Sequence, residues 1–86
     1  MLKMEKQKNE TLREYLDRIQ IGPGDDSGFI LREGMFGGTE MQVSRRYLEC
    51  ATWEYLLDRE IIDYQYPVYN MYGQETILFV VSDKES

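Results

Sequence analysis

Histidine is absent from this chain and cysteine occurs once, at Cys50. Without imidazole, the usual general base, metal ligand and pH switch is missing, and any serine or cysteine triad built on histidine is excluded. A lone cysteine excludes an internal disulfide and any multi-cysteine zinc site, and it fits a reducing, cytoplasmic setting. No apolar run approaches the roughly 18 residues that a membrane span requires. Met1 to Lys8 interleaves Lys and Glu instead of leading into an apolar signal core, so neither a membrane location nor secretion is expected.

Positive charge is also scarce. Ten Lys and Arg stand against 16 Asp and Glu, a net charge of −6. The deficit is uneven: residues 1–20 carry five basic and four acidic side chains, whereas residues 21–86 carry five and twelve. An acidic body repels phosphate backbones, which argues against direct nucleic-acid binding and for a basic partner.

At 86 residues, with 42% apolar side chains, the chain holds enough hydrophobic material for one core and too little for two. One domain is expected over residues 11–82. It follows a flexible or helical extension at residues 1–10 and precedes a frayed tail at residues 83–86.

Leu12, Tyr15, Leu16 and Ile19 recur at helical spacing, and Thr11 with Glu14 makes a capping box. Met4 to Glu10 either extends this helix or stays outside it. Gly22 to Gly28, rich in Gly, Pro and Asp, breaks the helix and reads as a solvated loop. It lacks both the lysine of a phosphate loop and the ligand spacing of a calcium hand. Phe29 to Glu33 and Thr39 to Val43 read as short antiparallel strands, joined through Gly34, Gly37 and Gly38.

Ser44 caps a second helix expected to run to about Asp58, with Leu48, Ala51, Thr52, Tyr55 and Leu56 on one face. Cys50 on this helix reads as a core cysteine; the competing reading, a reactive thiolate, needs the cation of Arg46 one turn back. Ile61 to Tyr72 reads as a strand with Ile62, Tyr64, Tyr66 and Val68 on one face, and Pro67 makes it an edge or bulged strand. Glu75 to Ser82 contains the unbroken apolar run Ile77 to Val81 and reads as a central strand buried on both faces. The fold class is α+β: a four-stranded antiparallel sheet with two helices on one face, in the order αββαββ.

Two surface features favour binding over chemistry. Tyr64, Tyr66, Tyr69 and Tyr72 fall within nine residues, after Tyr47, Trp53 and Tyr55, and tyrosine and tryptophan are enriched at interface hot spots. Tyr64 and Tyr66 alternatively cover the helix-bearing face of the sheet, and Trp53 is either peripheral core or an exposed anchor. Glu49, Glu54, Asp58, Glu60 and Asp63 form an acidic run, which is either a solvated face or a charge field for a basic groove. The candidate partner-binding set is therefore Glu49, Trp53, Glu54, Asp58, Glu60, Asp63, Tyr69 and Tyr72. No catalytic, metal or cofactor-binding residue is expected.

Leu57-Asp58-Arg59-Glu60-Ile61 at a helix-to-strand junction, Tyr72-Gly73 and the Ile77 to Val81 strand together resemble small uncharacterised proteins of bacterial phages and plasmids. The resemblance covers the last third of the chain and implies a mobile-element origin. In size and charge the chain is similar to anti-CRISPR proteins and to inhibitors of DNA-repair enzymes. That similarity implies a non-enzymatic inhibitor occupying a basic, nucleic-acid-binding surface of a host enzyme. The alternative is a self-associating homodimeric structural or regulatory module.

Overall fold

The structure is a computed structural model that describes residues 10–34 and 39–83. The first helix, α1 (Leu12–Arg18), begins where the sequence places it. Thr11 accepts from the Glu14 amide through its hydroxyl, and Glu14 accepts from the Thr11 amide, so both halves of the capping box are present. Glu10 is not part of a helical extension. It lies buried beside the domain, with its carboxylate on Arg18 at 2.9 Å and its carbonyl accepting from the Ile61 amide. The rest of the expected extension, residues 1–9, lies outside the described residues, as do Gly37, Gly38 and residues 84–86 of the tail.

Four strands follow: β1 (Gly28–Glu33), β2 (Met41–Ser44), β3 (Ile61–Tyr69) and β4 (Glu75–Val81). They form one sheet in the order β2-β1-β4-β3. The two hairpins, β1–β2 and β3–β4, are antiparallel, but β1 and β4 pair in parallel, with Ile30 opposite Leu78 and Glu33 opposite Val81. The sheet is thus mixed, not purely antiparallel. The connection between β2 and β3 is the reason: it crosses one face and returns the chain to the end from which β2 started, so β3 runs in the direction of β2. Two hairpins related in this way meet through parallel inner strands.

That connection also departs from expectation. In place of one helix to Asp58 there is a single turn, α2 (Arg45–Leu48), then an irregular turn, then a 3-10 segment at Glu54–Asp58. The order is therefore helix, strand, strand, helix, 3-10 segment, strand, strand. A continuous helix would bury Ala51, Thr52 and Tyr55; the broken one exposes all three and buries Leu48, Leu56 and Leu57 instead. Cys, Thr and Trp are weak helix formers, and burying two adjacent leucines outweighs what a continuous hydrogen-bond ladder offers here. Cys50, expected in the core, consequently sits exposed in the turn.

The main core lies between the helical segments and one sheet face, built from Leu12, Tyr15, Leu16, Phe29, Leu31, Val43, Leu48, Leu56, Leu57, Ile61, Phe79 and Val81. Phe79 is its centre, meeting Tyr15 and Phe29 edge-on at centroid distances of 5.3 and 5.4 Å. The opposite face carries Ile30, Leu78 and Val80, with Ile62 and Val68 packed beside them. As its apolar run requires, β4 is central and packs on both faces. As Pro67 requires, β3 is an edge strand with a register shift between Gln65 and Val68. A second shift, between Ile61 and Asp63, turns Ile62 away from Tyr64, so the two do not share the face that simple alternation assigns them.

Candidate functional site

The described residues contain six arginines, no lysine and 14 carboxylates. Each arginine is paired with a carboxylate: Arg13 with Asp58, Arg18 with Glu10, Arg32 with Glu40, Arg45 with Asp17 and Glu49, Arg46 with Asp26, and Arg59 with Glu33. The acidic surplus therefore resides in residues no arginine reaches, including Glu54, Glu60, Asp63 and Glu75. Of the eight candidate residues, Glu49 and Asp58 are already occupied. Glu49 accepts from the Gly24 amide at 3.0 Å and pairs with Arg45, fastening the 22–27 loop, while Asp58 holds Arg13 at 3.1 Å. Asp63 caps its neighbour, accepting from the Tyr64 amide at 2.8 Å.

The eight residues do not form one surface. Glu60 lies where β3 begins: its carbonyl accepts from the Ser82 amide, and Thr11 bridges to it. Tyr69 ends the same nine-residue strand, so it stands up to roughly 30 Å away at about 3.3 Å per residue. Asp58, Glu60 and Asp63 thus mark one end of the sheet, and Tyr69 and Tyr72 the other. Trp53 is peripheral core: it is half-buried, packs against the main core and stacks on Tyr47 with ring centroids 6.1 Å apart.

At the far end, the β3–β4 hairpin overhangs the rest of the sheet. β1 starts only at Gly28, level with Thr76, whose hydroxyl donates to the Gly28 carbonyl at 3.0 Å. Beyond that point the hairpin arms pair with each other alone. The turn is built by Asn70, whose side-chain oxygen accepts from the Tyr72 and Gln74 amides at 2.9 and 3.0 Å, and by Gly73 at φ 76°. This geometry throws Tyr72 and Met71 outward, each 76% exposed, next to Tyr69 at 65% and Tyr66 at 52%. The partner-binding set named Tyr69 and Tyr72; Tyr66, for which cover of the helix-bearing sheet face was the alternative, is exposed beside them, and Met71 joins through the turn.

Tyr66 donates its hydroxyl to Glu75 at 2.8 Å, and Tyr69 stands directly across the hairpin from Glu75. The hydrogen bond to Glu75, reinforced by its charge, raises the Tyr66 pKa above the ordinary tyrosine value. Beside the overhang a shallow depression of about 230 Å³ is lined by Asp26, Gly28, Ile30, Tyr47, Asn70 and Thr76 among others. Among the described residues no group of three or more Cys, Asp or Glu side chains converges to hold a metal ion, and no helix is long and apolar enough to cross a membrane. No protein-family model, curated protein or solved structure matches this chain.

Proposed function

We propose that this chain is a binding protein that docks on a basic surface of another protein, of the kind with which a nuclease or DNA-repair enzyme holds nucleic acid. The observation that carries this reading is the overhanging hairpin, which presents Tyr69, Met71 and Tyr72 largely free of the domain. Large aromatic side chains held outward by a rigid turn supply contact area at low entropic cost. The surplus carboxylates supply a long-range field that steers a basic partner and makes association salt-dependent. The hairpin end is the anchor, and Glu54, Glu60 and Asp63 contribute to the field. The mobile-element resemblance favours a host enzyme as the partner and inhibition by occupancy as the outcome.

The test is affinity capture from bacterial lysate at low and moderate salt, with the wild type, a Tyr69→Ser/Tyr72→Ser double variant and a Glu54→Lys/Asp63→Lys double variant. The expected result is a basic protein that is released by salt, displaced by duplex DNA and lost with both variants. A partner retained equally by all three proteins at both salt concentrations would contradict the reading. A homodimer is the second reading, favoured by the edge position of β2 in the sheet. A monomer mass that is independent of concentration in light scattering removes it.

A further inference from the structure

We propose that the face formed by Tyr66, Tyr69 and Glu75 receives an arginine side chain of the partner, an inference that rests on the docking role proposed above and names its central contact. The chain builds such a site twice for its own arginines. The Arg18 guanidinium lies 4.9 Å from the Tyr15 ring centroid and is held by the Glu10 carboxylate at 2.9 Å. Arg59 lies 5.3 Å over the Tyr55 ring and pairs with Glu33 at 3.6 Å. In both, the guanidinium lies over an aromatic ring and is ion-paired with a carboxylate, with direct hydrogen bonds in the Arg18–Glu10 pair.

The hairpin repeats these ingredients without the cation. Tyr69 and Glu75 are cross-strand partners, and the Tyr66 hydroxyl engages one Glu75 oxygen at 2.8 Å. All six arginines of the described residues are committed to other carboxylates, and no described donor reaches the second Glu75 oxygen. Tyr66 and Tyr69 are both more than half exposed, so an incoming side chain meets no steric cover. Guanidinium fits this arrangement better than ammonium, because it is planar, weakly hydrated and able to stack on a ring while donating sideways to a carboxylate.

The test compares oligo-arginine and oligo-lysine peptides of equal length, titrated calorimetrically into the full chain at low salt. The wild type is expected to bind oligo-arginine about three- to fivefold more tightly than oligo-lysine. That preference should vanish in Tyr69→Leu and in Glu75→Gln. Glu54→Gln removes the same charge elsewhere, so it should weaken both peptides alike and keep the preference. Equal affinity of the wild type for the two peptides, or a preference that survives both hairpin variants, overturns the arginine subsite and leaves the acidic docking role standing. Failure of both peptides to bind overturns both readings.

Discussion

Arg45 opens α2 and reaches across to α1, where its guanidinium pairs with Asp17 and also donates to the Ile21 carbonyl at 2.9 Å. The Arg45 side chain is only 4% exposed, whereas Asp17 remains 55% exposed. This one contact ties the second helical segment to the first and to the loop that follows it. Arg45→Ala should therefore destabilise the domain by about 2–3 kcal/mol through lost packing and hydrogen bonds. Asp17→Asn, which keeps an acceptor at a solvated position, should cost about 1 kcal/mol. Urea unfolding checks both, and an Arg45→Ala effect below about 0.5 kcal/mol, the range of ordinary surface changes, would remove Arg45 from this role.

The Tyr66–Glu75 pair makes a pH prediction. The phenol has a higher pKa folded than unfolded, because Glu75 accepts a hydrogen bond from the neutral phenol and its charge opposes the phenolate. A raised folded value means that the hydrogen bond's stabilisation is present in full below the unfolded pKa and is lost as pH rises through the folded one. Ultraviolet titration should show Tyr66 ionising later than an ordinary exposed tyrosine, alongside Tyr15, whose burial also raises its pKa, and Glu75→Gln should return only Tyr66 towards the ordinary value. Unchanged titration in Glu75→Gln would show that the bond does not persist in solution.

Cys50 should behave as an exposed thiol. A disulfide reagent is expected to modify it in the native protein without denaturant, and Cys50→Ser should leave the unfolding midpoint unchanged. Reaction only after unfolding would place the thiol inside, as a continuous second helix requires.

Two aromatic substitutions should separate core from surface. Phe79→Ala removes the ring at the centre of the main core and should cost about 3–5 kcal/mol, enough to unfold much of a small domain. Tyr72→Ser should change stability by no more than about 0.5 kcal/mol, since the side chain is 76% exposed. A circular-dichroism melt distinguishes the two, and comparable losses would mean that Tyr72 packs against the domain.

Much of the architecture was legible locally. The Thr11–Glu14 capping box sets the start of α1, and the unalternated run Ile77 to Val81 marks β4 as a strand buried on both faces. Pro67 places β3 at an edge because it has no amide hydrogen for a second neighbour. The second helix misled because Leu48, Thr52, Tyr55 and Leu56 keep helical spacing while the chain between them does not stay helical. Of the candidate site, Tyr69 and Tyr72 were readable from tyrosine density. Tyr66 belongs to the same dense run but was equally readable as cover for the sheet face, and Met71 and Glu75 were not readable, because only the Asn70–Gly73 turn and the cross-strand pairing bring them to the tyrosines.

What the sequence by itself determined is composition and local order: the absence of imidazole chemistry, the acidic balance, the helix cap and the apolar run that must lie inside. Each follows from interactions within a few residues or from simple counting. The parallel seam between β1 and β4, the break in the expected second helix, the burial of Arg45 and the separation of Asp58, Glu60 and Asp63 from Tyr69 and Tyr72 were decided only by the tertiary structure. These depend on which distant segments share a core, and the gain from burying Leu56, Leu57 and Phe79 together exceeds the local preferences that a linear pattern records.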